Sequence, residues 1–158
     1  MKKAVIVILL LFTLTGCTKV KSYKEATVKD FVDLIMEYET GKKTGVIYID
    51  LRPLGTDEGK EEGTFAESHV QGFINYNVKN GNETEMVTWL KGMYDTKTAV
   101  ILIDSDGTDV RTVAKWLTES GYKKVYYYED GFSSLKEKAQ DMLHFVSGIE
   151  DCGCGPGE

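Results

Sequence analysis

From Thr18 to Asp151 the chain has no cysteine; its three are Cys17, Cys152 and Cys154. A body without thiols has no thiolate nucleophile of its own, and the two tail cysteines complete no zinc site unless two chains share it. No stretch is long enough to span a bilayer. The longest apolar run, residues 4–14, has eleven residues, against the roughly 20 that a spanning helix needs. Positive charge is in the minority, 19 Lys and Arg against 25 Asp and Glu, and the formal charge of −6 argues against nucleic acid as a partner. Internal repeats and low-complexity blocks are missing as well. What is left is an acidic chain of 158 residues, 42% apolar, enough for one domain with a real core.

The run at 4–14 follows Lys2-Lys3 and leads into Leu14-Thr15-Gly16-Cys17. A basic pair and an apolar stretch of this length fit an export signal, and the tetrapeptide resembles the lipobox of bacterial lipoproteins. The resemblance implies cleavage before Cys17, diacylglycerol on its thiol, and a place on the extracytoplasmic face of a cell membrane. A cleaved soluble secretory protein and an uncleaved anchor are the alternatives. Loss of residues 1–16, with Lys2 and Lys3, leaves 142 residues and takes the formal charge from −6 to −8. Residues 17–26 are then expected as a lipidated tether, whose Lys19, Lys21 and Lys24 either attract anionic headgroups or are simply solvated. The domain is expected over 27–148, with 149–158 as a flexible tail lacking periodicity.

Within the domain, Val28, Phe31, Val32, Ile35 and Tyr38 share one helical face, with Thr27 able to cap the start and Gly41 the end. Residues 45–50 read as a strand, 51–65 as an exposed loop rich in glycine and charge, and 73–76 as a short strand. Asn82 with Glu85 offers a start resembling a capping box to a helix bearing Met86, Trp89, Leu90 and Met93. A strand at 124–128, a turn at Glu129-Asp130-Gly131, and a last helix carrying Phe132, Leu135, Ala139, Met142, Leu143 and Val146 complete the pattern.

The centre of the chain is residues 98–117. Ala99-Val100-Ile101-Leu102-Ile103 is too short for a helix and has the composition of a buried strand. Val110, Val113, Ala114 and Leu117 give the apolar face of a following helix, which Gly121 can end. Between them lies Asp104-Ser105-Asp106-Gly107-Thr108-Asp109. Strand, short loop and helix is the unit with which α/β proteins hold small anions, because helix N-terminal N–H groups point into the loop. Strands alternating with helices predict an α/β fold with a mostly parallel central sheet flanked by helices.

Three segments in this order resemble the rhodanese (sulfurtransferase) superfamily. Ile49-Asp50-Leu51-Arg52 is similar to the family's aspartate-x-arginine strand end, and Ser68-His69-Val70-Gln71-Gly72-Phe73-Ile74-Asn75 to its Gly-His-Ile-Pro-Gly-Ala-Ile-Asn segment. Residues 99–117, with Gly121-Tyr122, Val125-Tyr126 and Asp130-Gly131-Phe132, are similar to the active-site strand, its helix and the closing turn. The resemblance covers about residues 28–140 and implies a single rhodanese-like domain. It also implies a cysteine at the strand end that carries sulfur as a persulfide, and the aligned residue here is Asp104. Gly107 keeps the loop's glycine; the expected arginine is Asp109, the nearest arginine is Arg111, and Leu135 stands where many members have tryptophan. A carboxylate carries no transferable sulfur, and Asp104, Asp106 and Asp109 would repel the thiosulfate dianion. The Asp104 carboxylate can instead accept the loop's own N–H groups. Arg52 and His69 occupy motif positions, with structural roles favoured for both: Arg52 on Asp50 or loop carbonyls, His69 as a hydrogen-bonded packing group.

These residues predict a membrane-anchored binding or sensing module without a cofactor, whose protein or small-molecule partner the sequence does not name. An alternative is an unusual sulfurtransferase or thiol-redox protein working through Cys152 and Cys154, a pair able to close a strained, easily reduced disulfide. A remoter alternative comes from Asp104-Ser105-Asp106-Gly107-Thr108, which also resembles the Asp-x-Asp-Gly-Thr motif of haloacid dehalogenase-like phosphatases. There Asp104 would be the nucleophile, Asp106 a general acid and Mg²⁺ the counter-ion. The loop aspartates are also candidates for a Ca²⁺ or Mg²⁺ site, although a solvated acidic loop is preferred.

Overall fold

Five successive side chains sealed from water, Ala99–Ile103, run through the middle of the sheet. The computed structural model describes residues 23–56, 61–78 and 82–149. The expected signal segment, the lipidation site Cys17 and the tail cysteines Cys152 and Cys154 lie outside the described residues. In chain order the elements are β1 (Tyr23–Ala26), α1 (Val28–Glu39), β2 (Val46–Asp50), β3 (His69–Val70), β4 (Ile74–Asn75), α2 (Glu83–Met93), β5 (Ala99–Ile103), α3 (Thr108–Glu119), β6 (Lys124–Tyr128), α4 (Gly131–Ala139) and β7 (Phe145–Val146). Five strands form one sheet in the order β1-β6-β5-β2-β4, each neighbouring pair parallel. β3 and β7 form a separate antiparallel pair, His69 opposite Val146 and Val70 opposite Phe145. The α/β fold with a mostly parallel central sheet flanked by helices is the one the sequence predicts.

A strand buried on both faces needs a cover on each, and the two-residue period of β5 divides its side chains between two clusters. Ala99, Ile101 and Ile103 face Phe31 and Ile35 of α1 and Phe132, Leu135 and Ala139 of α4. Val100 and Leu102 face Met86 and Leu90 of α2 and Val110, Val113 and Leu117 of α3. α1 begins where expected, with the Thr27 hydroxyl accepting from the Asp30 N–H at 3.2 Å.

Four expectations need correction. Residues 23–26, assigned to the tether, are an edge strand in register with β6, Tyr23 opposite Val125 and Ala26 opposite Tyr128. Four residues with Lys24 and Glu25 exposed carry too little pattern to read as a strand. The loop at 51–65 is not exposed throughout. Leu51, Arg52, Thr64 and Phe65 are buried, tied by Phe65 N–H to the Pro53 carbonyl and Ala66 N–H to the Leu54 carbonyl. Asn82 precedes α2 without capping it; its amide donates back to the Asn77 carbonyl, and Met93 is 65% exposed. The last helix stops at Ala139, whose carbonyl takes the N–H groups of both Met142 and Leu143. Met142 is then 50% exposed, and Val146 belongs to β7, where pairing with His69 competes successfully with helix continuation.

Two phenols report on this packing. Tyr122 donates to the Tyr94 carbonyl at 3.2 Å and Tyr48 to the Ile35 carbonyl at 3.4 Å. Burial, helped by Asp95 near Tyr122 and by Glu39 and Tyr38 near Tyr48, pushes each pKa up to about 12. Each phenol therefore holds its proton more tightly folded than unfolded, so stability falls as pH rises from about 10 towards the folded pKa. In an alkaline titration followed at 295 nm and by circular dichroism, the last tyrosinates are expected to appear together with unfolding. Tyr122→Phe is expected to shift the alkaline limb to higher pH; an unshifted limb would show that this phenol does not couple to folding.

Candidate functional site

β5 delivers Asp104 to the carboxyl end of the sheet, and the chain turns into α3 within four residues. The Asp104 side chain is only 3% exposed. Its Oδ1 accepts the N–H groups of Asp106 at 3.2 Å and Gly107 at 2.5 Å, and its Oδ2 those of Asp109 at 2.7 Å and Val110 at 3.0 Å. The Thr108 N–H goes to Asp106 Oδ1 at 3.0 Å. Each backbone donor from Asp106 to Val110 is thus taken by a carboxylate of the same loop. The residue at the cap position of α3 is Gly107, which has no side chain to offer, so Asp104 does the capping from three residues upstream. Hydrogen bonds to an ionised acceptor contribute roughly 1.5–3 kcal/mol each, and the positive end of the helix dipole adds to them.

The loop is held from behind by the turn that follows β6. Phe132 N–H donates to the Asp104 carbonyl at 2.8 Å. Gly107 (φ +86°) and Gly131 (φ +77°) bring the two backbones into direct contact. A Cβ on Gly107 would sit 1.8 Å from the Glu129 carbonyl oxygen, and one on Gly131 2.1 Å from that of Ser105. Both positive φ and this contact require glycine.

Beside the loop lies a buried ion pair. Arg52, 2% exposed, donates from Nε to both Asp50 oxygens at 3.0 and 3.1 Å, and from Nη2 to Asp50 Oδ2 at 2.7 Å and the Ser68 carbonyl at 2.7 Å. The Arg52 N–H adds a bond to Asp50 Oδ1 at 3.0 Å, and the Asn75 amide donates to the Asp50 and Arg52 carbonyls. The guanidinium lies 3.4 Å over the centre of the Phe132 ring. The His69 ring stacks on Phe65 with centroids 3.8 Å apart, and Nδ1 is 3.0 Å from the Phe65 carbonyl. Arg111 pairs with Glu129 on the surface.

A cavity of about 400 Å³ opens between the loop at 61–67, Arg52, Ser105 and the start of α4. Its wall includes Glu62, Glu67, Phe132, Lys136 and Glu137. Of the candidate site residues read from the sequence, Arg52 and Ser105 reach it; Asp50 and His69 are not among its described lining residues, and neither are Asp104, Asp106, Gly107, Thr108 and Asp109. The wall glutamates and Lys136 were not legible, because Glu62 and Glu67 belong to a glycine-rich charged segment and Lys136 and Glu137 to the polar face of a helix. Along the loop the acids differ: the Thr108 N–H and hydroxyl hold Asp106 below the usual carboxylate range, while burial and the charges of Asp104 and Asp106 push Asp109 up.

Four N–H groups occupy the roughly four lone-pair directions of the Asp104 carboxylate. It has none left for attack on phosphorus or for a cation, and this is the physical objection to the phosphatase and metal readings of the motif. Among the described residues no group of three or more His, Cys, Asp or Glu side chains is placed to hold a metal ion.

A self-closed N–H cradle and a charged cavity lie together at the carboxyl ends of a parallel sheet, the place where open α/β sheets generally take their ligands. The rhodanese-like domain model matches residues 29–138, and the chain belongs to that family. Among solved structures, the rhodanese-like domain of the Alr3790 protein from Anabaena sp. is similar with a TM-score of 0.55 at 10% identity, covering 83% of each chain. The full-length protein from Lactobacillus plantarum gives 0.51 at 15% identity, over 79% of this chain and 87% of that one. The BH2092 protein from Bacillus halodurans gives 0.51 at 14% identity, over 87% and 82%. At such identities the likeness is one of fold. No curated protein matches the chain.

Asp104→Ala leaves four inward-facing N–H groups without their acceptor and is expected to cost about 3 kcal/mol or more. Asp104→Asn keeps one oxygen for two of them and is expected to cost less. Urea unfolding of the two variants measures the order; equal stability of Asp104→Ala and the parent would remove the structural role given to this carboxylate.

Proposed function

We propose that this chain is a rhodanese-like domain held on the extracytoplasmic face of a membrane by lipid on Cys17, that it lacks ordinary sulfurtransferase activity, and that it acts as a binding or sensing module. The anchor rests on the lysine pair, the apolar run and Leu14-Thr15-Gly16-Cys17. The loss of sulfur chemistry rests on one observation: the Asp104 carboxylate takes the N–H groups of Asp106, Gly107, Asp109 and Val110. By its resemblance to the family motif, Asp104 stands at the position of the sulfur-carrying cysteine. A carboxylate there can neither attack a sulfane sulfur nor release the cradle to a substrate anion, and Asp106 and Asp109 add repulsion. The cavity beside the loop remains open, and a domain with a pocket and a carboxylate in place of the sulfur-carrying thiol is suited to holding a ligand or partner.

A thiosulfate-to-cyanide assay on the full chain in detergent, with intact-mass detection of a persulfide, is expected to give no turnover and no sulfur adduct. Turnover or an adduct that disappears in Cys152→Ser/Cys154→Ser would make the protein a sulfur-handling enzyme working through its tail. Cys17→Ser is expected to abolish incorporation of labelled fatty acid and to release the protein from membranes.

A further inference from the structure

The cavity beside the loop differs in charge from a site for a sulfur oxyanion. Among the described residues three carboxylates, Glu62, Glu67 and Glu137, line it with one ammonium, Lys136. Arg52 also lines it, but its positive charge is met at 2.7–3.1 Å by Asp50, which is sealed from water. Nε and Nη2 of Arg52 are spent on Asp50 and the Ser68 carbonyl. Among the described residues Nη1 makes no hydrogen bond, and it belongs to a side chain at once nine-tenths buried and part of the cavity wall. The guanidinium cannot swing away, because Phe132 covers its face at 3.4 Å and Asp50 fixes its edge. The cavity therefore has a fixed guanidinium in its wall, with Glu62, Glu67 and Glu137 among the same lining residues. The backbone N–H groups that would draw in an anion are consumed by Asp104 and Asp106.

We propose that this cavity binds an organic amine bearing a carbonyl or carboxylate oxygen, with the ammonium among Glu62, Glu67 and Glu137 and the oxygen on Arg52 Nη1. A basic amino acid or a lysine residue within a peptide has this chemistry, and a volume of about 400 Å³ is within the range of small-ligand sites. The described wall offers such a ligand the apolar surface of Phe132 beside the neutral polar groups of Ser105, Ser133 and Gln140. Burying one ammonium against three carboxylates relieves their mutual repulsion, so binding weakens as salt rises. The inference rests on the binding-module reading and gives it a ligand class.

The test is a nitrogen–proton correlation titration of the full chain in detergent with L-lysine, Nα-acetyl-lysine methylamide and thiosulfate. Shifts confined to the amides of residues around Arg52, Ser105 and Ser133 are expected with one or both lysine probes. Free lysine alone points to an amino acid and the blocked amide alone to a peptide residue. Glu67→Gln/Glu137→Gln is expected to weaken binding about tenfold or more, two charge-assisted contacts being lost. The Gly63 N–H, which donates to Glu67 Oε2 at 2.7 Å, keeps an acceptor in this variant, because a side-chain amide oxygen replaces the carboxylate oxygen. Glu83→Gln/Glu119→Gln, which removes the same charge from sites elsewhere on the molecule, is expected to leave binding unchanged. Equal weakening in both double variants, no binding of either lysine probe, or thiosulfate shifting the cavity amides would overturn the assignment. Sulfur turnover would instead overturn the binding-module reading, so the two failures are separable.

Discussion

Five N–H groups at the start of α3 have to be satisfied, and a carboxylate on the residue that follows β5 satisfies four of them. The rest of the region is arranged around that constraint. A capping side chain at Gly107 is impossible, because any Cβ there would strike the Glu129 carbonyl. The cap must therefore come from upstream, and the tight turn of the loop places Asp104 beneath it. Charge-assisted bonds of roughly 1.5–3 kcal/mol each outweigh the desolvation of one carboxylate, which in real proteins costs several kcal/mol. The same geometry that can hold an external anion thus becomes an internal brace.

The second buried charge pair obeys a different balance. Removing Asp50 and Arg52 from water costs several kcal/mol per ion, and their Coulombic attraction alone need not repay it. Here the remaining donors and acceptors are also used: Asp50 takes the Arg52 backbone N–H, and Arg52 reaches the Ser68 carbonyl sixteen residues away. The pair is best understood as fixing where β2 ends and how the segment before β3 runs past it. Its packing on Phe132 connects that segment to the turn that clamps the acidic loop. Arg52, Asp104 and Gly131 therefore hold one unit of structure.

Much of this was legible, and for identifiable reasons. β5 showed as a run of five apolar residues because both its faces are covered, and α1 and α3 showed because each buries a helical stripe. Asp104 could be placed at the strand end, and its ability to accept loop N–H groups follows from residue type and position alone. Features made by pairing across long sequence distances were not legible. β1 depends on a partner strand far along the chain, Tyr23 lying opposite Val125, and β7 on a two-residue match to β3 that a helical reading of Val146 concealed. The cavity wall combines a glycine-rich loop with the polar face of α4. Neither has a periodic signal, and only their approach in space makes them a site.

The N–H cradle that Asp104 closes adjoins the cavity lined by Arg52 and Ser105. When the cradle is closed by a side chain, the cavity loses its anionic partner but keeps its walls. Its electrostatic character is then set by whatever lines it. With Arg52 offset by Asp50, that is, among the described residues, the surplus of Glu62, Glu67 and Glu137 over Lys136. The proposed preference for an amine over an oxyanion accordingly needs no remodelling of the fold. It follows from one buried carboxylate that satisfies the loop and from glutamates on elements that the loop does not constrain.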